Sequence, residues 1–337
     1  MDDYFRPILQ SGPARPSDAL VCAGGWTWFT QVEVLRRTGA PEIISHVHLP
    51  ANVRKALTEP RPRICDLNLA SPRIMGILNI TPDSFSDGGK HATVEAAVHG
   101  AETMGKADIL DIGGESTRPG AAFIPRDTEI ARTSPVISAL RAAGIVQPIS
   151  IDTRKMPVAH SALQAGANLV NDVSGFTYDD ELAPFCARSG VPVCVMHAQG
   201  DPATMQHSPK YDNVLLDVFD FLADQIDRLE ALGVQRNQII ADPGIGFGKT
   251  LEHNLELLSR LSLFHALGVP ILLGASRKKF IGTIGQEDRA EARMPGSLAV
   301  ALAALKHGTQ IVRVHDVAET AQAIALWQAV VAGGRHG

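Results

Sequence analysis

"ADILDIGG", residues 107–114, is a short apolar run that reaches an aspartate just before it breaks into glycines. Seven other stretches have the same build: "RIMGILN" (73–79), "QPISID" (147–152), "NLVND" (168–172), "VPVCVMH" (191–197), "QIIAD" (238–242), "PILLGAS" (270–276) and "QIVRVH" (310–315). Runs of this length without strict alternation suit strands covered on both faces. Amphipathic segments separate most of them. The clearest spans residues 213–232, where Leu215, Val218, Phe219, Leu222, Ile226 and Leu229 recur at helical spacing with Asp217, Asp220, Asp224 and Arg228 between them. Eight strand–helix units between Arg73 and Ala332 match the roughly 250 residues of a (β/α)8 TIM barrel. An open doubly wound sheet is the competing arrangement. The run ends favour the barrel, because Asn79, Asp111, Asp152, Asn171, His197, Asp242, Ser276, Arg313 and His315 lie at the C-terminal edge of a run or within two residues beyond it. In a barrel that edge is one rim, where substrates bind.

With 337 residues, 45% of them hydrophobic, the chain is long enough for one large domain or two ordinary ones. A net charge of −5 supplies no general basic field for nucleic acid, so the expected partner is a small molecule. Cys22, Cys65, Cys186 and Cys194 fall at wide, irregular intervals, which reads as a reducing compartment. The opening "MDDYFRPILQ" has no apolar signal core and no run of 18 apolar residues follows, so the sequence predicts a soluble cytoplasmic protein without a membrane partner. Residues 1–70 stand apart from the rest. Pro7, Pro13, Pro16, Pro41, Pro50, Pro60 and Pro62 interrupt every candidate helix there, which predicts an N-terminal extension, at best a partly structured arm or a small lid-like appendage. Residues 71–337 are expected to form the barrel domain.

One segment competes with this reading. "DPGIGFGKT", residues 242–250, has the glycine density and Lys-Thr pair of a phosphate loop. A Walker A loop places a glycine five residues before its Gly-Lys pair, and here that position is Pro243, which lacks the N–H a phosphate nest requires. The dinucleotide fingerprint fails too, because the glycines are spaced G-x-G-x-G. What remains is an aspartate at a strand end, followed by glycines that let the chain turn closely over whatever Asp242 holds. Such an acid would accept hydrogen bonds from the N–H donors of a heterocycle.

"MGILNITPDSFSDGG", residues 75–89, ends a strand at Asn79 and continues into a polar loop. Asn79 offers a carbonyl oxygen suited to a hard cation, and Asp83, Ser84, Ser86 and Asp87 supply further oxygens. This stretch, with "DIGGESTRPG" (111–120), "SIDTRK", "NDVSG", "VMHAQGDPATMQ", "DPGIGFGK", "GASRKKFIG" and "RVHDV" in order, resembles the dihydropteroate synthase family. The resemblance runs from about Arg73 to about Ala332, over three-quarters of the chain.

That resemblance implies a TIM barrel, usually dimeric, that condenses 6-hydroxymethyl-7,8-dihydropterin diphosphate with 4-aminobenzoate in folate biosynthesis, with Mg2+. By motif, Asp152, Asn171, Asp242 and Lys278 would hold the pterin, with Asp111 and Met196 near its ring. Asn79 would stand at the Mg2+ and the diphosphate, and Arg118, Arg313 and His315 close to the leaving phosphates. Thr117, Pro119, Phe247, Lys278 and Lys279 would border the aminobenzoate, although many relatives have a small hydroxyl residue where Lys279 stands. Of these, Asn79, Asp152, Lys278, Arg313 and His315 are the candidate catalytic set. The chemistry agrees, since two acids and an amide can take the ring donors of a pterin while a lysine donates to its acceptors. A methyltetrahydrofolate-dependent methyltransferase on the same barrel is the rival enzyme, and a noncatalytic pterin-binding protein the rival from another class. The run Arg277-Lys278-Lys279 lacks the aromatic interleaving of a nucleic-acid patch.

Overall fold

The computed structural model describes residues 3–80, 90–116, 123–200, 205–206 and 208–333, apart from the side chains of residues 90–93. Residues 3–70 hold more order than their prolines suggest. Strands β1 (Tyr4–Pro7), β2 (Leu20–Val21), β3 (Trp28–Phe29), β4 (Gln31–Leu35) and β5 (Glu42–Ser45) precede helix α1 (Ala51–Thr58). β1, β4 and β5 form an antiparallel sheet in the order β1-β4-β5, and β2 pairs with β3. The prolines forbid helix interiors, but here they fall between elements or at their ends. Pro7 closes the edge strand β1, where its missing N–H costs no central ladder bond.

From Arg73 the chain alternates as its runs predict. The strands are β6 (Arg73–Asn79), β7 (Ile109–Gly113), β8 (Ile149–Asp152), β9 (Leu169–Asp172), β10 (Val193–Met196), β11 (Ile239–Asp242), β12 (Leu272–Leu273) and β13 (Ile311–Val314). Between and after them lie α2 (Lys90–Thr103), α3 (Arg126–Ala142), α4 (Met156–Ala165), α5 (Leu182–Ser189), α6 (Val214–Ala231), α7 (Leu251–Ser259), α8 (Lys279–Gly285), α9 (Met294–Lys306) and α10 (Val317–Val331). The eight strands run parallel in the order β11-β10-β9-β8-β7-β6-β13-β12, and a parallel bridge between Ala241 and Ile271 joins the two ends into a barrel. The doubly wound alternative is thereby excluded. α6 shows how the local pattern becomes packing: Asn213 caps its start by accepting from the Leu216 N–H, and Leu215, Val218, Phe219, Leu222, Ile226 and Leu229 are buried along one stripe. Among the described residues no helix is long and apolar enough to cross a membrane.

Strand parity divides the residues between two environments. Leu78, Leu110, Ile112, Ile151, Val170, Val195, Ala241, Leu273, Val312 and Val314 belong to the core shared with the helices. Their neighbours Met75, Ile109, Leu169, Cys194, Ile240, Leu272 and Ile311 form a separate cluster inside the barrel, near the strand starts. Ile64 and Leu69, each 1% exposed, complete that inner cluster. Residues 64–69 thus close the N-terminal mouth of the barrel, the end opposite the rim where a substrate lid would sit. The rest of the N-terminal segment docks on the outside: the Tyr4 ring meets Phe219 edge-on at 5.6 Å and its hydroxyl donates to Asp220 at 2.8 Å. Trp26 Nε1 donates to the Leu305 carbonyl at 2.8 Å, and Arg37 pairs with Asp217 and Asp220 of α6.

Leu69→Ala should leave a cavity beneath the barrel floor and cost about 2–5 kcal/mol of unfolding free energy. Urea denaturation with an unchanged m-value would report it, and an unshifted midpoint would show that this plug does not support the barrel.

Candidate functional site

Two residues further along each inward-facing row, the apolar floor gives way to polar groups. Counting by twos from Ile109, Leu169, Cys194, Ile240 and Ile311 leads to Asp111, Asn171, Met196, Asp242 and Arg313, and from Ser150 to Asp152. The C-terminal rim residues Asn79 and His315 continue the rows of Met75 and Ile311. Sequence-distant residues therefore converge above one hydrophobic layer.

Arg313 is the hub of this cluster. Its Nε donates to Asp111 Oδ2 at 2.6 Å and its Nη2 to Asp152 Oδ2 at 2.8 Å. Asn171 Nδ2 lies 3.4 Å from both oxygens of Asp111. Asp111 is fully buried. The second oxygen of Asp152, Oδ1, is buried and has no hydrogen-bond partner among the described residues. Burial pushes the Asp152 carboxyl up, Arg313 pulls it back and Asp111 pushes it further, to about 8. Burial also raises Asp242, against the pull of the Gly244 N–H, which donates to its Oδ1 at 2.7 Å. Its Oδ2 lies beside Gly274, 3.7 Å from where a Cβ there would stand. Burial alone would lower Arg313, but the two acids outweigh it and hold the guanidinium charged.

The Arg277-Lys278-Lys279 run fans out because its backbone turns sharply. Arg277 has φ +58°, an unfavourable conformation for a non-glycine residue, and is held there by Asp316, which takes its Nε at 3.1 Å, and by Ser297 Oγ, which takes its N–H at 2.8 Å. Lys278 consequently turns inward. Its Nζ donates to the Ile245 carbonyl and lies 4.2 Å from the centre of the Phe247 ring. Burial lowers Lys278 to about 7, although Asp242 opposes the shift. Lys279 opens α8 and is exposed. At the end of the neighbouring strand β13, His315 is fixed by Ser276, whose Oγ lies 3.0 Å from Nδ1 and accepts the His315 N–H at 3.2 Å.

Thr117, Arg118 and Pro119 lie outside the described residues, as do Asp83, Ser84, Ser86 and Asp87. Asn79 Oδ1 is on the inner side of the rim, 3.6 Å from where a Cβ on Gly113 would stand, as is Asp152 Cβ. Sequence reasoning missed the role of Lys249, which it weighed only as a phosphate-loop lysine. In the structure Lys249 is buried, with Nζ 2.8 Å from His197 Nδ1. It also missed the charge network beside the second motif: Lys155 Nζ donates to Glu129 at 2.7 Å and approaches Glu115 at 3.1 Å, while Arg154 stacks 4.0 Å over the Tyr178 ring. The consecutive Arg154 and Lys155 with Glu115 and Glu129 elsewhere gave no local signal of pairing.

Comparison with known proteins agrees with this geometry. A family model described as pterin binding enzyme matches residues 75–315. The dihydropteroate synthase of Escherichia coli (strain K12) is 45% identical over 267 residues, covering 79% of this chain and 94% of that protein. A solved structure of the Xanthomonas albilineans dihydropteroate synthase with 4-aminobenzoic acid superposes with a TM-score of 0.75 at 44% identity, covering 80% of this chain and 98% of the other. Another, of the same organism's dihydropteroate synthase in complex with 7,8-dihydropteroate, gives 0.72 at 41% identity, covering 80% and 98%.

Removing one acid from the hub leaves a buried guanidinium undercompensated. Asp111→Ala should cost about 3 kcal/mol of stability, and Arg313→Met on top of it should recover most of that loss. Urea unfolding of the single and double variants measures both, and additive losses would show that the two side chains are not coupled.

Proposed function

The chain belongs to the pterin-binding enzymes and, among them, to the dihydropteroate synthases, and on that footing we propose that it condenses 6-hydroxymethyl-7,8-dihydropterin diphosphate with 4-aminobenzoate to give 7,8-dihydropteroate and diphosphate. The observation that carries this reading is the unpartnered Asp152 Oδ1 in a cluster with Asn171, Asp242 and Lys278, a set of buried acceptors and one donor matched to a pterin ring. The methyltransferase rival is disfavoured by the matched relatives, which are synthases.

The roles follow from position. Asp152 and Asp242 accept from the ring amide and amino groups, Asn171 adds its amide and Lys278 donates to a ring acceptor. Asp111 anchors Arg313, and Met196 offers a polarisable face to the ring from the end of β10. Arg313 has five N–H donors, so the two that bind acids leave others for phosphate oxygens; His315 and, by family motif alone, Arg118 would share that role. Phe247 and Lys278 would border the arylamine, and Thr117, Pro119 and Lys279 are assigned to it by family motif alone. The neutral amine is already nucleophilic, so no base is needed to activate it. The C–O bond to diphosphate breaks while the cationic side chains neutralise the charge growing on its oxygens, and the amine then attacks the exocyclic methylene.

A divalent cation, which we take to be Mg2+, would neutralise part of the diphosphate charge. Among the described residues no three His, Cys, Asp or Glu side chains gather into a metal cage. Asn79 fits as a single hard oxygen donor, with phosphates and water completing the shell.

The outer faces of α9 and α10 suit a homodimer: neither helix carries a charge between Met294 and Leu305 or from Thr320 to Val331, and Leu326 and Val330 are 66% and 71% exposed. Four free cysteines, three of them buried, support a cytoplasmic setting.

Purified protein supplied with Mg2+ and both substrates should release diphosphate and dihydropteroate in equal amounts. Loss of the pterin diphosphate without arylamine incorporation would overturn the synthase reading. A second expectation concerns pH. With Lys278 lowered to about 7, its charged form prevails below that pH and is lost above it, so kcat/KM for the pterin diphosphate should decline as pH rises through about 7. Lys278→Met should abolish this alkaline limb along with most of the activity; a limb of the same position in the variant would assign it to another group.

A further inference from the structure

The loop after β11 is held in a way that its composition conceals. Five consecutive carbonyls, Gly244 to Gly248, each receive a side-chain donor: Lys249 reaches Gly244 at 2.9 Å and Phe247 at 3.1 Å, Lys278 reaches Ile245, Gln206 reaches Gly246 at 2.6 Å, and Tyr211 reaches Gly248 at 2.7 Å. Lys249 is the only one of these donors that grips two of the carbonyls. Its third close partner is His197 Nδ1 at 2.8 Å, and the His197 carbonyl lies 3.4 Å away. The lysine is 3% exposed and none of its partners is a carboxylate.

Three near acceptors claim the three N–H bonds of an ammonium. Burial presses Lys249 strongly towards the neutral form and Lys278 adds to that pressure, while the nearby Asp242 carboxylate opposes it; the three convergent acceptors favour the ammonium from closer range. His197 suits the acceptor role, because burial and the neighbouring lysine lower its imidazole to about 2 and keep it neutral. The imidazole is itself packed edge-on against Phe221 at 4.9 Å. Backbone crowding gives the carbonyls little freedom to turn away: Gly244 and Gly248 have φ +67° and +62°, and a Cβ on either would run into the carbonyl of His197 or Gln199. The ammonium therefore sits where backbone dipoles from two strand ends point at one spot. His197 N–H also donates to the Asp242 carbonyl at 3.0 Å, so the same tie joins the ends of β10 and β11.

We propose that Lys249 is a positioning residue of this synthase: its ammonium acts as a tethered monovalent cation that gathers the Gly244 and Phe247 carbonyls and His197, and so fixes the Phe247 ring relative to Asp242. Lys249 touches neither substrate. It acts on the arylamine through Phe247 and on the pterin through the turn that follows Asp242. This inference rests on the synthase reading, since only there do Phe247 and Asp242 serve two different substrates.

The test compares wild type with two variants in the dihydropteroate assay. Lys249→Met keeps the alkyl stem and removes the charge; it should raise KM for 4-aminobenzoate about 10- to 100-fold, with a smaller effect on KM for the pterin diphosphate. Lys249→Ala also opens the channel of the missing stem, so propylammonium should restore part of the activity, while tetramethylammonium at equal ionic strength should not. Wild-type KM values in a folded Lys249→Met protein would overturn the proposal. So would losses that no primary ammonium restores, or equal restoration by tetramethylammonium. Failure of both variants to fold, read by circular dichroism, would assign Lys249 to the fold alone. An inactive wild type would instead count against the synthase reading and take this proposal with it.

Discussion

The two-residue period of the β-strand is the constraint on which this molecule depends. Each strand presents every second side chain to the barrel interior, and the inward rows are apolar at the floor and polar one step higher. A one-residue slip in β13 would put Val312 and Val314 into the site and press Arg313 into the helix-facing core, away from Asp111 and Asp152. The apolar neighbours thereby enforce the register that aims the charged residues. Ile64 and Leu69 act from below on the same layer. Without them the inner row from Met75 to Ile311 would face water, and the floor of the polar cluster would lose its low-dielectric support.

The cluster itself carries a cost that only a ligand can justify. Asp111, Asp152 and Asp242 crowd one space, and a single guanidinium compensates the first two. A purely structural barrel would fill these positions with aliphatic side chains of similar volume. Instead the site keeps one Asp152 oxygen without a donor among the described residues and a second buried acid, Asp242, close by. On the proposed function both features would become favourable once a heterocycle supplies N–H groups there, and an analogue without them would leave buried acceptors unsatisfied. Discrimination by hydrogen-bond matching is stronger than discrimination by shape alone.

The barrel was legible because its signal is local: an apolar run ending in a polar residue can be seen within seven positions, and α6 within one amphipathic stripe. The N-terminal strands were not, since pieces of two to five residues hold too few positions for a period to show, and prolines that exclude helices were weighed against order in general. For the site, strand ends marked where polar groups would stand, but not whom they would meet. Arg313 and Asp111 are separated by 202 positions, and only closure of the barrel makes them partners. The same limit hid the pairing of Lys155 with Glu129.

"DPGIGFGKT" shows how composition can be right about function and wrong about sign. A phosphate loop and this loop both need glycines, because both turn the backbone so that peptide groups converge on one charge. In a phosphate loop the N–H ends converge and the charge is an anion. Here Pro243 has no N–H to offer, the carbonyl ends converge, and the charge is the loop's own lysine. The peptide dipole has been reversed, so the lysine that would reach outward to a phosphate is drawn inward. With its carbonyls occupied by side chains, the loop presents to the cavity the Asp242 carboxyl and the Phe247 ring. On the proposed function, a phosphate entering this barrel would be met elsewhere on the rim, where Arg313 has spare donors and His315 is held by Ser276. On the same proposal, the direction in which this single loop turns its peptide groups would leave the loop to the organic substrates and the phosphates to other donors of the rim.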